Sequence, residues 1–102
     1  MKNILLLLIV SLLFIGCKKN DHVQLRIENQ RDYEITNIQV GELNYGSLAP
    51  TQISDYKMLE TGKTTGSYDM NNQHYSGEIE TWGSGKLRMR INKDASLNFI
   101  NE

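Results

Sequence analysis

From residue 22 onward, apolar and polar side chains alternate in short runs, and no window repeats its apolar positions with a helical period. Val23, Leu25 and Ile27 alternate with three polar residues, which is the pattern of a half-buried strand. Such runs predict about seven short strands spaced roughly 8–12 residues apart, which is typical of a small β-sandwich. The pattern therefore predicts an all-β domain, folded as a small antiparallel Greek-key β-sandwich.

Breaks in this alternation predict where the chain turns. The apolar residues of the strand predicted over Tyr33–Val40 change phase near Thr36 and Asn37, which indicates a β-bulge. Residues 41–47 have the composition of a loop, and Pro50 predicts a tight turn shortly after it. The residue that follows Pro50 is not glycine, which favours a type I turn over type II.

A hairpin is the sharpest local expectation, because alternating arms flank a glycine-rich segment at 83–85. A two-residue loop would place a carboxylate on the apolar face, whereas a three-residue loop keeps both faces consistent. The expected cross-strand pairs are Glu80 with Arg88, Glu78 with Arg90, and Ile79 with Met89.

The first sixteen residues differ sharply from the rest. Eleven of the twelve residues from Ile4 to Ile15 are apolar, after a charged start at Lys2 and before two further lysines. A helix of that length rises about 18 Å, too little for the roughly 30 Å hydrocarbon core of a bilayer. The layout predicts a cleaved helical signal peptide over 1–16, a tether over 17–21 and a folded domain over 22–102.

The apolar run ends at the only cysteine, in the sequence Phe14-Ile15-Gly16-Cys17. This segment resembles the lipobox of bacterial lipoproteins, apart from Phe14 where leucine is usual. The resemblance implies cleavage between Gly16 and Cys17 and acylation of Cys17, so that lipid chains anchor the protein to the membrane. The alternative is an incidental cysteine after an uncleaved anchor. A lone cysteine also leaves no intramolecular disulfide.

The tether bears on where the domain lies. Its four residues after Cys17 span at most about 14 Å, which keeps the domain near the membrane. Lys18, and not aspartate, follows the cysteine. By resemblance to Gram-negative lipoproteins this favours outer-membrane sorting, on either the periplasmic or the surface-exposed side. Strand and turn signals around Ile27, Ile38, Tyr45-Gly46 and Ser54 also resemble small lipoproteins of the Bacteroidota with an immunoglobulin-like or prealbumin-like sandwich, a resemblance that implies no activity.

Length, charge and chemistry narrow the function classes. A chain of 102 residues is too short for a Rossmann or barrel enzyme. After the signal, ten basic residues stand against twelve acidic ones, which argues against a nucleic-acid partner. His22 and His74 lack neighbours at metal-ligand spacing, so we expect no metal site and no cofactor. Glu78 and Glu80 are expected to pair with arginines, so we expect no enzyme activity.

What remains is binding. Exposed tyrosine, tryptophan and arginine side chains are favoured at interfaces. The candidate binding surface consists of Tyr45, Tyr75, Trp82, Arg88 and Arg90. The sequence thus favours a lipid-anchored, non-enzymatic binding or accessory module of the cell envelope, with an envelope protein or a small ligand as its partner. The alternatives are an envelope-tethered inhibitor or immunity protein, which would block its target with loop 41–47 or 82–85, and a small glycan- or peptide-binding module.

Overall fold

A computed structural model describes residues 22–102, so the predicted signal peptide, Gly16, Cys17 and the tether lie outside the described residues. The described chain is all-β, as predicted, but it forms eight strands and not seven. The additional strand comes from residues 41–47, whose predicted loop is instead a tight turn followed by β3. The strands are β1 (His22–Asn29), β2 (Ile35–Val40), β3 (Leu43–Leu48), β4 (Lys57–Glu60), β5 (Gly62–Met70), β6 (Gln73–Thr81), β7 (Gly85–Ile91) and β8 (Leu97–Asn101).

The strands form two four-stranded sheets. The first sheet has the order β4-β1-β7-β8, and the second has the order β3-β2-β5-β6. All neighbours are antiparallel except β1 and β7, which run parallel with Val23 opposite Gly85 and Ile27 opposite Met89. The prediction of an antiparallel sandwich is therefore wrong at this central pair. Both strands begin at the same end of the domain.

One hydrophobic core joins the two sheets. Leu25 and Ile27 of β1 and Ile35 and Val40 of β2 are fully buried in it. Inward-facing side chains follow a period-two alternation in most strands, because successive residues of a strand point to opposite faces. In β2 and β3 a register shift interrupts it, so that Ile35 and Ile38 are buried three residues apart, as are Tyr45 and Leu48. The full core consists of Val23, Leu25, Ile27, Ile35, Ile38, Val40, Tyr45, Leu48, Leu59, Tyr68, Met70, Ile79, Met89 and Ile91.

The hairpin predicted around 83–85 does not form. β6 pairs with β5 in the second sheet, and β7 pairs with β1 and β8 in the first. Ile79 and Met89 are both buried, as expected, but in different sheets. The alternation that suggested a hairpin is equally consistent with a crossover between two sheets, because either arrangement buries the same alternate residues.

The actual long hairpin joins β5 and β6. Its nine residue pairs run from Gly62 opposite Thr81 to Met70 opposite Gln73. Asn71 and Asn72 form the turn, both with positive φ, at 52° and 64°. A two-residue turn with positive φ at both central positions is the type I′ turn, in which asparagine is favoured.

Two smaller expectations have opposite outcomes. The bulge is confirmed, since the pairing of β2 with β5 shifts between Thr36 and Gln39, and Asn37 has a φ of 51°. The turn at Pro50 is not type I, because Thr51 has a φ of 70°, the mark of type II. Thr51 is the residue with the strained, positive φ, and its backbone amide donates a hydrogen bond to the carbonyl of Asn29 at 2.6 Å.

Asn29 connects three segments at the end of β1. Its side chain is fully buried, and its Nδ2 donates at 3.0 Å to the carbonyls of both Tyr33 and Leu48. Its Oδ1 accepts from the Arg31 amide at 2.8 Å. One buried amide therefore satisfies three backbone groups that the loops would otherwise leave without partners.

Candidate functional site

A largely apolar recess lies between the two sheets, on the side where β6 and β8 form their edges. We call it the β6/β8 cleft. Its volume is about 520 Å³, which is within the range of small-molecule and peptide sites. The cleft is lined by Ile38, Gln39, Gly66, Ser67, Tyr68, His74, Tyr75, Ser76, Gly77, Ile79, Met89, Ile91, Ala95 and Leu97.

A pair of glycines shapes the floor of the cleft. Gly66 of β5 and Gly77 of β6 lie directly opposite each other. The space above Gly66 is taken by Ile79, whose Cδ1 would lie 2.3 Å from a Cβ added there. Nothing lies within 4 Å of a Cβ added at Gly77. The missing side chain at Gly77 therefore leaves an open hollow in the inner face of β6.

The opposite wall consists of residues of β7 together with Leu97 of β8, the edge strand of the first sheet. Leu97 and Phe99 are paired with Ile91 and Met89, so they share the inner face with these two buried residues. They are nevertheless 40% and 41% exposed. No strand of the described chain lies beyond β6 to cover them, so the cleft is open along β8.

Aromatic side chains close one end of the cleft. Tyr68 and Tyr75 are cross-strand neighbours whose rings stack at 5.1 Å between centroids, with planes 11° apart. Arg31 holds this pair from the loop after β1, with its guanidinium 5.2 Å from the Tyr75 ring and Nη1 donating to the Tyr68 hydroxyl at 3.3 Å. Burial raises the pKa of Tyr68, so its hydroxyl stays neutral at physiological pH.

His74 forms the polar rim of the cleft. Its Nδ1 lies 2.6 Å from Oδ1 of Asp69, its cross-strand neighbour. This hydrogen bond lowers the pKa of Asp69, so the carboxylate is ionised at neutral pH. Within residues 22–102, no group of three or more histidine, cysteine or acidic side chains is arranged to hold a metal ion.

The candidate surface drawn from the sequence is dispersed over the domain. Tyr75 borders the cleft, but Tyr45 is buried at 9% exposure, with its hydroxyl donating to the Leu25 carbonyl at 2.7 Å. Burial raises the pKa of Tyr45 strongly. Trp82 is 76% exposed and lies at the opposite end of β6 from Tyr75. The structure therefore does not gather these aromatic residues into one surface.

Arg88 and Arg90 lie on the outer face of the first sheet, within a charged network and not beside Glu80 and Glu78. Arg90 Nε donates to Glu28 Oε1 at 3.1 Å, and Arg88 Nε lies 3.4 Å from the same oxygen without hydrogen-bond alignment. Burial would raise the pKa of Glu28, but hydrogen bonds from Arg90 and Gln30 outweigh it and lower the pKa. Arg88 and Arg90 thus neutralise a buried carboxylate.

Glu102 extends this network at the other end of the same face. Arg26 donates to both of its carboxylate oxygens at 2.8 and 2.7 Å, and the Tyr56 hydroxyl donates to one of them at 2.6 Å. These bonds lower the pKa of Glu102 to about 2. Glu28 and Glu102 are thus the ion-pair partners of Arg26, Arg88 and Arg90 on this face.

Sequence reasoning missed the residues that shape the cleft. Gly66 and Gly77 become partners only once β5 and β6 are known to pair through the turn at Asn71-Asn72. The sequence could have predicted that turn, because two asparagines between two alternating runs favour a hairpin with a two-residue loop. The exposure of Leu97 and Phe99 had no local signal, because it depends on where the second sheet ends.

Comparison with known proteins adds no relative to this description. No protein-family model, no curated protein and no solved structure matches the chain. Among residues 22–102 there is no helix of the length and apolar character needed to span a bilayer.

Proposed function

We propose that this chain is a lipid-anchored lipoprotein of the cell envelope, sorted to the outer membrane, whose β domain is a non-enzymatic binding module. The β6/β8 cleft is the observation that carries the binding role. It combines an apolar floor, a hollow at Gly77 and two edge strands that have neighbours on one side only. Clefts of this size with an apolar lining and a few polar groups are typical ligand sites.

The anchor rests on the sequence. Cys17 is the only cysteine, it directly follows an apolar run of signal-peptide length, and a glycine precedes it. Two or three acyl chains give stable attachment where a single chain is marginal. The membrane contact of the module is then its lipid, and the described domain is free to bind a partner.

An extended segment of an envelope protein is the occupant that fits the cleft. A strand added along the free edge of β6 would find backbone groups to pair with, and it would extend the second sheet over Leu97 and Phe99. Its alternate side chains would point inward at Gly77 and Tyr75. A segment with apolar residues at alternate positions therefore matches the cleft in both backbone and side-chain chemistry.

The strand order supports a prealbumin-like sandwich over an immunoglobulin-like one. In an immunoglobulin domain the first two strands belong to the same sheet. Here β1 and β2 lie in different sheets. An inhibitor or immunity protein would instead use the 82–85 segment, where Trp82 is exposed. The 41–47 segment could not serve it as a loop, because most of that segment forms β3.

Fatty-acid labelling tests the anchor. Labelled palmitate should enter the wild-type chain, and the substitution Cys17→Ser should abolish the label and leave an uncleaved or soluble product. Persistent labelling of the Cys17→Ser chain would contradict acylation at this residue.

A pull-down from detergent-solubilised envelope tests the cleft. The substitution Gly77→Leu places an apolar side chain in the hollow, where its Cβ meets nothing within 4 Å, so a stoichiometric partner captured by the wild type should be lost. Thr65→Leu is the matched control, because it adds the same side chain to the exposed outer face of β5. Equal capture by all three proteins would place the binding site elsewhere, and absence of any protein partner would favour a small ligand.

A further inference from the structure

The described domain has two distinct ends, and one of them adjoins the tether. β1 begins at His22, and β7 begins beside it because Val23 pairs with Gly85 in the parallel register. β4 ends at the same place, with Glu60 opposite His22. We call this the tether end. The loop after β1, the Asn71-Asn72 turn and the loop before β8 form the opposite end.

Trp82 lies at the tether end and projects into solvent. It is three residues before Gly85, so its Cα lies at most about 11 Å along the chain from a residue that neighbours Val23 at roughly 5 Å. Its side chain is 76% exposed, more than any other large apolar side chain of the described residues. A tryptophan in this position exposes apolar area that water solvates poorly.

The tether limits which end can meet the membrane. Five residue steps separate Cys17 from His22, a span of at most about 18 Å. Asn29, the last residue of β1, is seven residues beyond His22, so it lies roughly 23 Å from His22 along the strand. If the opposite end rested on the bilayer, His22 would stand farther from the surface than the tether reaches. An anchored domain is thus held with its tether end near the lipid.

Charge does not provide the attraction at this end. Glu42 and Glu60 are exposed there, and Lys63 lies opposite Glu80 in the register of the β5–β6 hairpin. Carboxylates and cations are mixed at this end, so the charges of the domain itself do not favour an anionic surface over a zwitterionic one. Tryptophan, by contrast, is enriched at the level of the lipid headgroups, where its apolar ring and polar N–H are both accommodated.

We propose that the domain stands on the bilayer by its tether end, with the indole of Trp82 inserted among the headgroups of zwitterionic phospholipid. This inference rests on the proposed membrane attachment through the N-terminal segment. In this orientation the β6/β8 cleft opens away from the lipid, because Tyr75, which borders it, is seven residues along β6 from Trp82, about 23 Å. The cleft therefore faces the aqueous phase, where a partner can enter.

Tryptophan fluorescence tests the proposal directly, because Trp82 is the only tryptophan of the chain. The full chain is purified from bacterial membranes and reconstituted into phosphatidylcholine vesicles. Either an acylated Cys17 or the uncleaved apolar segment would hold it there, and mass spectrometry separately reports which. We expect the Trp82 emission to shift to shorter wavelength, to be quenched by lipids brominated near the headgroup, and to lose accessibility to iodide.

The matched control moves the indole to the opposite end. Tyr33 is 55% exposed in the loop after β1, so Tyr33→Trp in a Trp82→Phe background places an exposed tryptophan far from the tether. This variant should keep its solution spectrum and its iodide quenching on the same vesicles. Unchanged Trp82 emission on vesicle-bound protein, equal bromine quenching of both variants, or failure of the chain to float with vesicles would each overturn the proposal. An unacylated Cys17 with quenched Trp82 would overturn the lipid anchor alone.

Discussion

The paired glycines of the second sheet yield opposite expectations for the same substitution. Gly66 and Gly77 lie directly opposite each other, and neither has a positive φ, so an alanine suits the backbone at both. Only their surroundings differ. A Cβ at Gly66 would lie 2.3 Å from Cδ1 of Ile79, whereas a Cβ at Gly77 meets nothing within 4 Å.

The magnitudes follow from that difference. Gly66→Ala forces Ile79, which is only 3% exposed, out of its position, and overpacking of this kind costs about 1–3 kcal/mol. Gly77→Ala removes backbone freedom from the unfolded chain without a clash, so it should stabilise the domain by about 0.4–1 kcal/mol. Ile79→Val removes the clashing methyl group and costs about 0.5–1.5 kcal/mol by itself.

Urea unfolding of residues 22–102, followed by circular dichroism, measures these effects. In a double-mutant cycle, Gly66→Ala should cost less in the Ile79→Val background than in the wild type, by about 0.5 kcal/mol or more. A Gly77→Ala protein less stable than Gly66→Ala, or no coupling between residues 66 and 79, would refute the packing described for the cleft floor. The same unfolding measurement on Gly77→Leu shows whether that variant is folded, so that its loss of a partner reflects a filled cleft.

Two further predictions concern the polar groups that hold the domain together. Asn29→Ala removes three hydrogen bonds at about 0.5–1.5 kcal/mol each and leaves buried carbonyls without donors, so it should destabilise by about 2–4 kcal/mol in urea. Asn29→Asp should be worse, because its carboxylate would face the carbonyls of Tyr33 and Leu48; an aspartate milder than alanine would show that these bonds are absent. The pKa of Glu102 is lowered from 4.5 to about 2, so its contribution to stability is fully present above pH 4.5 and is lost as the pH falls through 2. The stability difference between wild type and Glu102→Gln, measured by thermal unfolding across this range, should therefore shrink toward zero at low pH, and a difference independent of pH would contradict the Arg26–Glu102 pair.

Local patterns predicted the parts of the fold that depend on near neighbours. The alternation of Val23, Leu25 and Ile27 is the inward face of β1, and the phase change at Asn37 is the bulge. Each of these signals depends on residues close together in the chain. The all-β class of the domain could be predicted from the sequence for the same reason.

The pairing between strands that are distant in the chain could not be predicted from local sequence patterns. The alternating charges of β6 and β7 satisfy a hairpin and a crossover equally well, so Glu28, which actually pairs with Arg90, gave no local signal. The cleft depends on sheet pairing twice, through Gly66 opposite Gly77 and through the exposure of Phe99 on the edge strand β8. A candidate surface chosen by residue type alone therefore included the buried Tyr45 and omitted the glycines.

Photo-crosslinking at β8 tests the binding role of the cleft most directly. Phe99 and Asn98 are neighbours in sequence, both exposed, but Phe99 shares the inner face with Met89 and Asn98 lies on the outer face. A benzophenone amino acid is placed at each position in turn, in the full chain, in the cells that encode it. The binding role predicts a discrete crosslinked partner from position 99 that disappears when Gly77→Leu is added, with none from position 98. Crosslinks of equal yield from both positions, or none from position 99, would contradict it.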